Sequence, residues 1–358
     1  MAIKKRILKM SHYKPPLEGR SERDYLLLDF NERTTGPSPK VKEALKKFID
    51  SGRLQVYPEY GDLEAKIAQY AGVSANRAMV TNGGDQGVDI ICRACLDEGD
   101  KIIIPFPAFA MHYQSAGIQG GELLEPKYKE DGSFPLEESL NLITEEVKLI
   151  ILCNPNNPLG SSIPVEDVEK ILDKAKKKEV TVLHDEAYFE FSGITTKDLI
   201  GKYDNLYIMR TFAKAFGLVS LRAGYLISQE NNIQELLKIR GPYDVNMAAK
   251  TAILAALEDI QYMKDYAREV MEESKPKLEE FLKEKGIFFY PSDANFLLLK
   301  VPSPQGLINE LKSQGILVRP KPASDGTAAV RVSIGELKDT EQFIRVFRKI
   351  LDKEKQVE

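Results

Sequence analysis

Between residues 78 and 228, short runs rich in Val, Ile and Leu recur at 78–81, 101–105, 148–153, 180–184, 206–210 and 225–228. Segments long enough for helices separate most of them, 165–178 being one. The runs are continuously apolar rather than alternating, so each strand has to be buried on both faces. A mostly parallel sheet covered by helices on either side satisfies that demand and places the chain in the α/β class. The texture changes after Gly241-Pro242-Tyr243. Helices are predicted over 247–257 and 262–285, then a strand at 294–299, a helix at 304–314, a strand at 330–333 and a last helix over 340–353. That α+β pattern predicts a second, smaller domain.

Residues 1–36 read as irregular and extended, apart from a short strand at 25–30. Ser38-Pro39-Lys40 opens a helix to about 51, with proline in its first turn. Asp62 is expected to cap a helix to about 70. Asn82-Gly83-Gly84-Asp85 reads as a turn before a helix over 86–96. With 358 residues, about two domains are expected. The boundaries predicted are an N-terminal segment, 1–45, joining the small domain; a large domain, 46–246; and a small domain, 247–358.

A formal net charge of −4 gives no electrostatic case for nucleic acid or a membrane surface. No apolar run reaches the roughly 18 residues of a membrane span. The basic start (Lys4, Lys5, Arg6, Lys9) is not followed by the apolar stretch of a secretory signal. Three cysteines do not make a disulfide framework, and Cys92 and Cys95 fall within a helical pattern that suits core packing. His12, His112 and His184 are too scattered for a metal site. The cytoplasm is the expected compartment.

Chemistry concentrates where the strands of the large domain end. Lys214 lies in a run of small and apolar residues just past 206–210, with Arg222 eight positions on. A lysine amine becomes a nucleophile when apolar surroundings and a nearby cation disfavour its charged form. Lysines in apolar stretches more often lay their stems on the surface, so the neighbouring motifs decide. Gly83-Gly84-Asp85 offers free N–H groups and a helix start to a phosphate. Phe109, in Pro105-Phe106-Pro107-Ala108-Phe109, suits stacking on a flat ring as well as it suits a core. Asn154-Pro155-Asn156-Asn157-Pro158 holds asparagine amides rigidly at a strand end. Asp185 ends an apolar strand, where a carboxylate is costly without a cation; Tyr188 follows on the same exit. Together these describe a pocket for a phosphorylated aromatic aldehyde, pyridoxal phosphate, with the protein supplying orientation and electrostatics.

With these motifs in this order, the chain from about residue 13 to 351 resembles the class I/II, fold-type I pyridoxal-phosphate-dependent aminotransferases, and within them the histidinol-phosphate aminotransferase family. The resemblance implies a fold-type I large domain with a smaller α+β domain. It makes Lys214 the Schiff-base lysine and general base. Asp185 would keep the pyridine nitrogen protonated, Asn157 and Tyr188 would bond the ring oxygen, and Phe109 would stack on the ring. Gly84, Asp85, Thr211 and Arg222 would hold the phosphate, and Tyr57 would reach the cofactor phosphate of a neighbouring subunit in an obligate homodimer. Arg331 would grip a substrate carboxylate and Arg319 the substrate phosphate, with Tyr13 and Asn31 lining the same site. Residues 242–246 are similar to a stretch characteristic of the subgroup.

The chain departs from that pattern at Phe109, where tyrosine is common, at Ala213 in place of serine, and at Leu159 in place of threonine. Arg33 is an addition in the loop expected to cover the substrate, and bears on which donor is accepted. The implied reaction is ping-pong transamination from L-histidinol phosphate to 2-oxoglutarate. An aromatic or other amino-acid donor, a decarboxylase acting on an amino-acid phosphate, and a non-catalytic binding module stay as alternatives. No metal, nucleic-acid or membrane partner is implied.

Overall fold

The computed structural model describes residues 3–17, 19–20 and 24–354. In chain order its strands are β1 (Leu26–Leu27), β2 (Ala78–Thr81), β3 (Lys101–Ile103), β4 (Glu122–Leu124), β5 (Val147–Cys153), β6 (Thr181–Asp185), β7 (Leu206–Thr211), β8 (Gly224–Ile227), β9 (Phe288–Phe289), β10 (Phe296–Lys300), β11 (Ile316–Leu317), β12 (Arg319–Pro322) and β13 (Ala328–Ser333). Strands β2 to β8 form one seven-stranded sheet in the order β2-β8-β7-β6-β5-β3-β4. All its pairings are parallel except those of β8, which runs against both β2 and β7.

The double burial expected of continuous apolar strands is visible along β5. Ile150 and Leu152 point into one core with Val182 and Ile208, while Leu149 and Ile151 point into the opposite core with Leu183 and Met209. Because β5, β6 and β7 are parallel and in register, Cys153 lies beside Asp185 and Asp185 beside Met209. Their carboxyl ends therefore open at one edge of the sheet, where ligands bind in such folds.

A second sheet, antiparallel, has the order β12-β13-β10-β9. The N-terminal strand β1 pairs in parallel with β11, so the start of the chain is tied to this C-terminal region. Beyond β1 the chain passes over the carboxyl edge of the large sheet.

Several local expectations give way to the structure. The helix after β2 begins at Gly83 and runs to Cys95, so residues read as a turn are its first turn. A helix over Ala110–Gln119 and the strands β4, β9, β11 and β12 lack the apolar runs that mark the other elements. A short helix, Lys5–Lys9, interrupts the extended N-terminus. Asp62 occupies the N-terminal position of the helix Leu63–Ala71, but its side chain makes no capping bond. The expected helix over 262–285 is broken into Ile260–Arg268 and Lys275–Glu284 by a π-helical turn, Glu269–Ser274.

The residue after β6 shows how the sheet tolerates buried charge. Glu186 is fully buried. Its Oε2 accepts a 2.8 Å bond from Arg210 Nε, and its Oε1 accepts from the backbone N–H of Thr196 at 2.8 Å. Burial pushes this carboxyl up, but Arg210 and His184 outweigh it and hold it down at about 2. Arg210→Met is expected to strand the carboxylate and lower stability by about 3–5 kcal/mol, measured by denaturant unfolding. A carboxyl held below its ordinary 4.5 stabilises the fold fully above that pH and loses its contribution as pH falls towards 2. The acid-induced loss of stability should be smaller in Arg210→Met than in the parent.

Candidate active site

Lys214 stands three residues beyond β7, on the turn that leads into β8. Its Nζ donates to the carbonyl of Phe30 at 3.0 Å and lies 5.9 Å from the centre of the Tyr188 ring. Burial, then Arg331 and Arg222, press the amine down to about 8 against the opposite pull of Glu32 and Asp85. The shift enlarges the neutral, nucleophilic fraction near neutral pH relative to an ordinary lysine.

Tyr188 lies beneath. Its hydroxyl oxygen accepts from Asn31 Nδ2 at 2.9 Å and from Asn157 Nδ2 at 3.0 Å. Burial raises the phenol's pKa, with Arg331 opposing. The other end of the Asn157 amide accepts from Arg331 Nη1 at 2.7 Å, and Arg331 Nη2 donates to the Asp29 carbonyl at 2.7 Å. Arg331 Nε has no partner among the described residues. Burial, with help from Arg319, brings Arg331 down to about 10, leaving it charged at neutral pH. Arg319 sits directly across the antiparallel ladder from Arg331. Arg319 Nη2 approaches the Tyr13 hydroxyl at 3.4 Å, its guanidinium covers Phe30 at 4.6 Å, and its Nη1 is unpartnered.

At the opposite end, Asp185 is buried with Oδ2 2.9 Å from His112 Nε2 and Oδ1 accepting the Ala187 N–H at 3.0 Å. Phe109 precedes the helix carrying His112, and its ring meets that imidazole edge-on at 5.6 Å. The loops bearing these groups are joined, since Asn156 Nδ2 donates to the Pro107 carbonyl at 3.0 Å.

The glycine stretch forms a cradle. A Cβ on Gly84 would lie 2.7 Å from Met209 Sδ, and one on Gly224 would lie 2.8 Å from the backbone of Gly83 and Gly84. At Gly224, where the neighbour is backbone, only glycine allows this approach. Thr211 is in ordinary contact, its Cβ 4.0 Å from that Gly84 position. Arg222, in the left-handed region at φ 52°, returns its Nη2 to Asp85 Oδ2 at 2.9 Å across a partly exposed gap. Free N–H groups of a helix start and a guanidinium thus face one small space, a favourable seat for phosphate.

The structure brings together every residue singled out from the sequence except Tyr57, which is 73% exposed and stacked on Tyr243 at 4.4 Å. The Arg33 guanidinium lies between Tyr262 and Tyr266, at 4.3 and 4.1 Å from the ring centres, and Nη1 donates to the carbonyl of Ala215 at 2.9 Å. It fastens the N-terminal strap to the lysine turn. His112, scattered from the other histidines, carries no signal of its own in the sequence. Only the packing of that helix against the end of β6 reveals its partner.

The donor set fits pyridoxal phosphate. It offers an amine for the aldehyde, a buried carboxylate for the pyridine nitrogen, a hydroxyl and an amide for the ring oxygen, a phenyl face, and the glycine–arginine cradle for phosphate. His112→Ala removes one hydrogen bond to a charged acceptor. It should weaken cofactor binding by about ten- to a hundredfold, read by absorbance titration of the apoprotein, with His112→Gln restoring part of the loss.

Comparison with known proteins agrees with this geometry. The family model described as aminotransferase class I and II matches residues 23–347. A histidinol-phosphate aminotransferase of Geobacillus sp. (strain WCH70) is 35% identical over the whole of both chains. The enzyme of that name from Staphylococcus carnosus is 35% identical, covering 97% of this chain and 98% of its own. The crystal structure of histidinol-phosphate aminotransferase from Sinorhizobium meliloti in complex with pyridoxal-5'-phosphate superposes with a TM-score of 0.85 at 23% identity, over 98% of each chain. On the family match and these relatives, the chain belongs to the aminotransferase class I and II family and is a pyridoxal-phosphate-dependent aminotransferase.

Proposed function

We propose that the amino donor is L-histidinol phosphate and the acceptor 2-oxoglutarate, exchanged through one site by ping-pong transamination. The observation that carries this reading is the pair Arg319 and Arg331, buried, opposite each other on neighbouring strands and with no ion pair to a carboxylate among the described residues. Two like charges so placed repel, and a substrate with an anionic group for each relieves that repulsion. A phosphate monoester and a dicarboxylate both suit guanidinium forks. The 35% identical relatives carry the corresponding name.

The roles follow from position. Gly84, Asp85, Thr211 and Arg222 hold the cofactor phosphate, Phe109 covers the ring face, and Asp185, steadied by His112, keeps a proton on the pyridine nitrogen. Tyr188 and Asn157 bond the ring oxygen. The cofactor, when bound, supplies the electron sink for the substrate Cα. The Lys214 amine, already pressed towards neutrality, takes the proton from that Cα. Arg331 orients the α-carboxylate, Arg319 with Tyr13 the distal anion, and Asn31 closes the site from the strap.

The working unit is a homodimer in which Tyr57 of each chain completes the neighbour's phosphate site. Leu54, Val56, Tyr57 and Tyr243 form an exposed apolar strip suited to burial by a second copy. The large and small domains are taken as 46–246 and 247–358, with 1–45 joining the latter. No helix among the described residues is long and apolar enough to cross a membrane. We place the enzyme in the cytoplasm, with small molecules and not nucleic acid as its partners.

The holoenzyme should lose its visible cofactor band rapidly on adding L-histidinol phosphate, and recover it on adding 2-oxoglutarate. Faster loss with L-phenylalanine or L-tyrosine would reassign the donor. Turnover without any need for 2-oxoglutarate would indicate decarboxylation. Lys214→Ala should abolish activity, and full activity in that variant would overturn the mechanism. Tyr57→Ala should leave the dimer intact by gel filtration while raising the cofactor's dissociation constant about tenfold.

A further inference from the structure

A third cation faces the two arginines. Strand β12 lies at the edge of its sheet, where its two prolines, Pro320 and Pro322, are tolerated. Side chains two apart on a strand share a face, so Lys321 follows Arg319 on the side where Arg331 stands opposite. Arg319 is buried, Pro320 exposed and Lys321 half-buried, which sets that shared face inward.

None of these three cations makes an ion pair among the described residues. Arg331 is bonded to the Asn157 amide oxygen and the Asp29 carbonyl, and Arg319 to the Tyr13 hydroxyl. The Lys321 amine makes no hydrogen bond among the described residues, its backbone being paired with Ala329. The carboxylates of the neighbouring strap are already engaged, because Arg20 binds both Asp29, at 2.8 Å, and Glu32. Three positive groups thus converge, faced by neutral acceptors, a phenol and the ring of Phe30.

We propose that Lys321 is a specificity-determining residue that, with Arg319, binds the distal anion of the substrate and selects substrates with a second anionic group over monocarboxylates. The inference rests on the transaminase reading above and deepens it. A monocarboxylate needs only Arg331. A phosphate monoester carries nearly two negative charges at neutral pH, and the distal carboxylate of a dicarboxylate adds a second anion; either gives Arg319 and Lys321 the counter-charge they lack.

A consequence follows for protons. Burial, then Arg331 and Arg319, brings the Lys321 amine down to about 7. At pH 8 it is largely neutral in the free site, and an arriving anion restores its proton. Anion binding at that pH therefore takes up a proton from solvent.

The test is calorimetric, on the holoenzyme at pH 8, with succinate as a dicarboxylate that does not itself titrate there. Comparing two buffers of different ionisation heat gives the protons taken up. The parent should take up close to one proton per succinate bound. Lys321→Met should bind succinate about tenfold more weakly with no uptake, while acetate binding changes less than about twofold. Lys321→Arg should restore affinity without uptake, since a guanidinium stays charged. Lys300→Met, which removes a surface lysine paired with Asp325, should behave as the parent. Succinate affinity and proton uptake unchanged in Lys321→Met would overturn the proposal. These readings do not depend on which donor turns over. A failed half-reaction with histidinol phosphate would therefore fall on the donor assignment, and unchanged succinate binding on Lys321.

Discussion

Four distant parts of the chain meet at the hydroxyl of Tyr188, and the site exists because they do. Asn31, from the N-terminal strap, and Asn157, from the loop after β5, both donate to that oxygen. Asn157 is in turn held by Arg331 of β13. Ser333, two residues further on β13, donates to Asn31 Oδ1 and accepts the Asn31 N–H at 2.9 Å. These bonds lie in a buried region where an unmatched polar atom costs as much as a bond gains. The large sheet, the small sheet and the strap are therefore fixed relative to one another by the groups that would contact cofactor and substrate.

Asn31 has the left-handed backbone, φ 55°, that asparagine tolerates better than most residues. That bend aims the Phe30 carbonyl at Lys214 while the side chain turns to Tyr188. Two residues later Arg33 anchors the strap to the Ala215 carbonyl between two tyrosine rings. Thus the segment covering the site is bonded to the lysine turn twice, at the Phe30 carbonyl and through Arg33.

Charge is distributed by the same logic. Adjacent residues at the end of β6 face opposite ways, Asp185 towards His112 and Glu186 towards Arg210. Glu186 is neutralised within the fold and serves the packing. Arg319, Lys321 and Arg331 make no ion pair among the described residues, which is the basis of the anion site proposed above. Cations without an ion pair among the described residues thus contrast with the fully compensated Glu186–Arg210 pair beside Asp185.

The sequence by itself determined the α/β class, because continuous Val/Ile/Leu runs separated by helices have few other burials open to them. It also determined the chemistry-bearing residues at the strand exits, since Lys214, Asp185, Asn157 and the Gly83-Gly84 pair follow immediately on recognisable strands. What it left open were contacts between segments with no local signature. Strand β12 is written in alternating prolines, so the pairing that sets Arg319 against Arg331 and brings Lys321 beside them comes only from its neighbour β13. His112 acquires a role only through the docking of its helix on β6. Arg33, an addition in a covering loop, has no local signature that names its partners, and only the tertiary structure places it between Tyr262 and Tyr266. Local pattern records the burial a segment needs, whereas the partner that supplies it is chosen elsewhere in the chain, 73 residues away for His112 and Asp185.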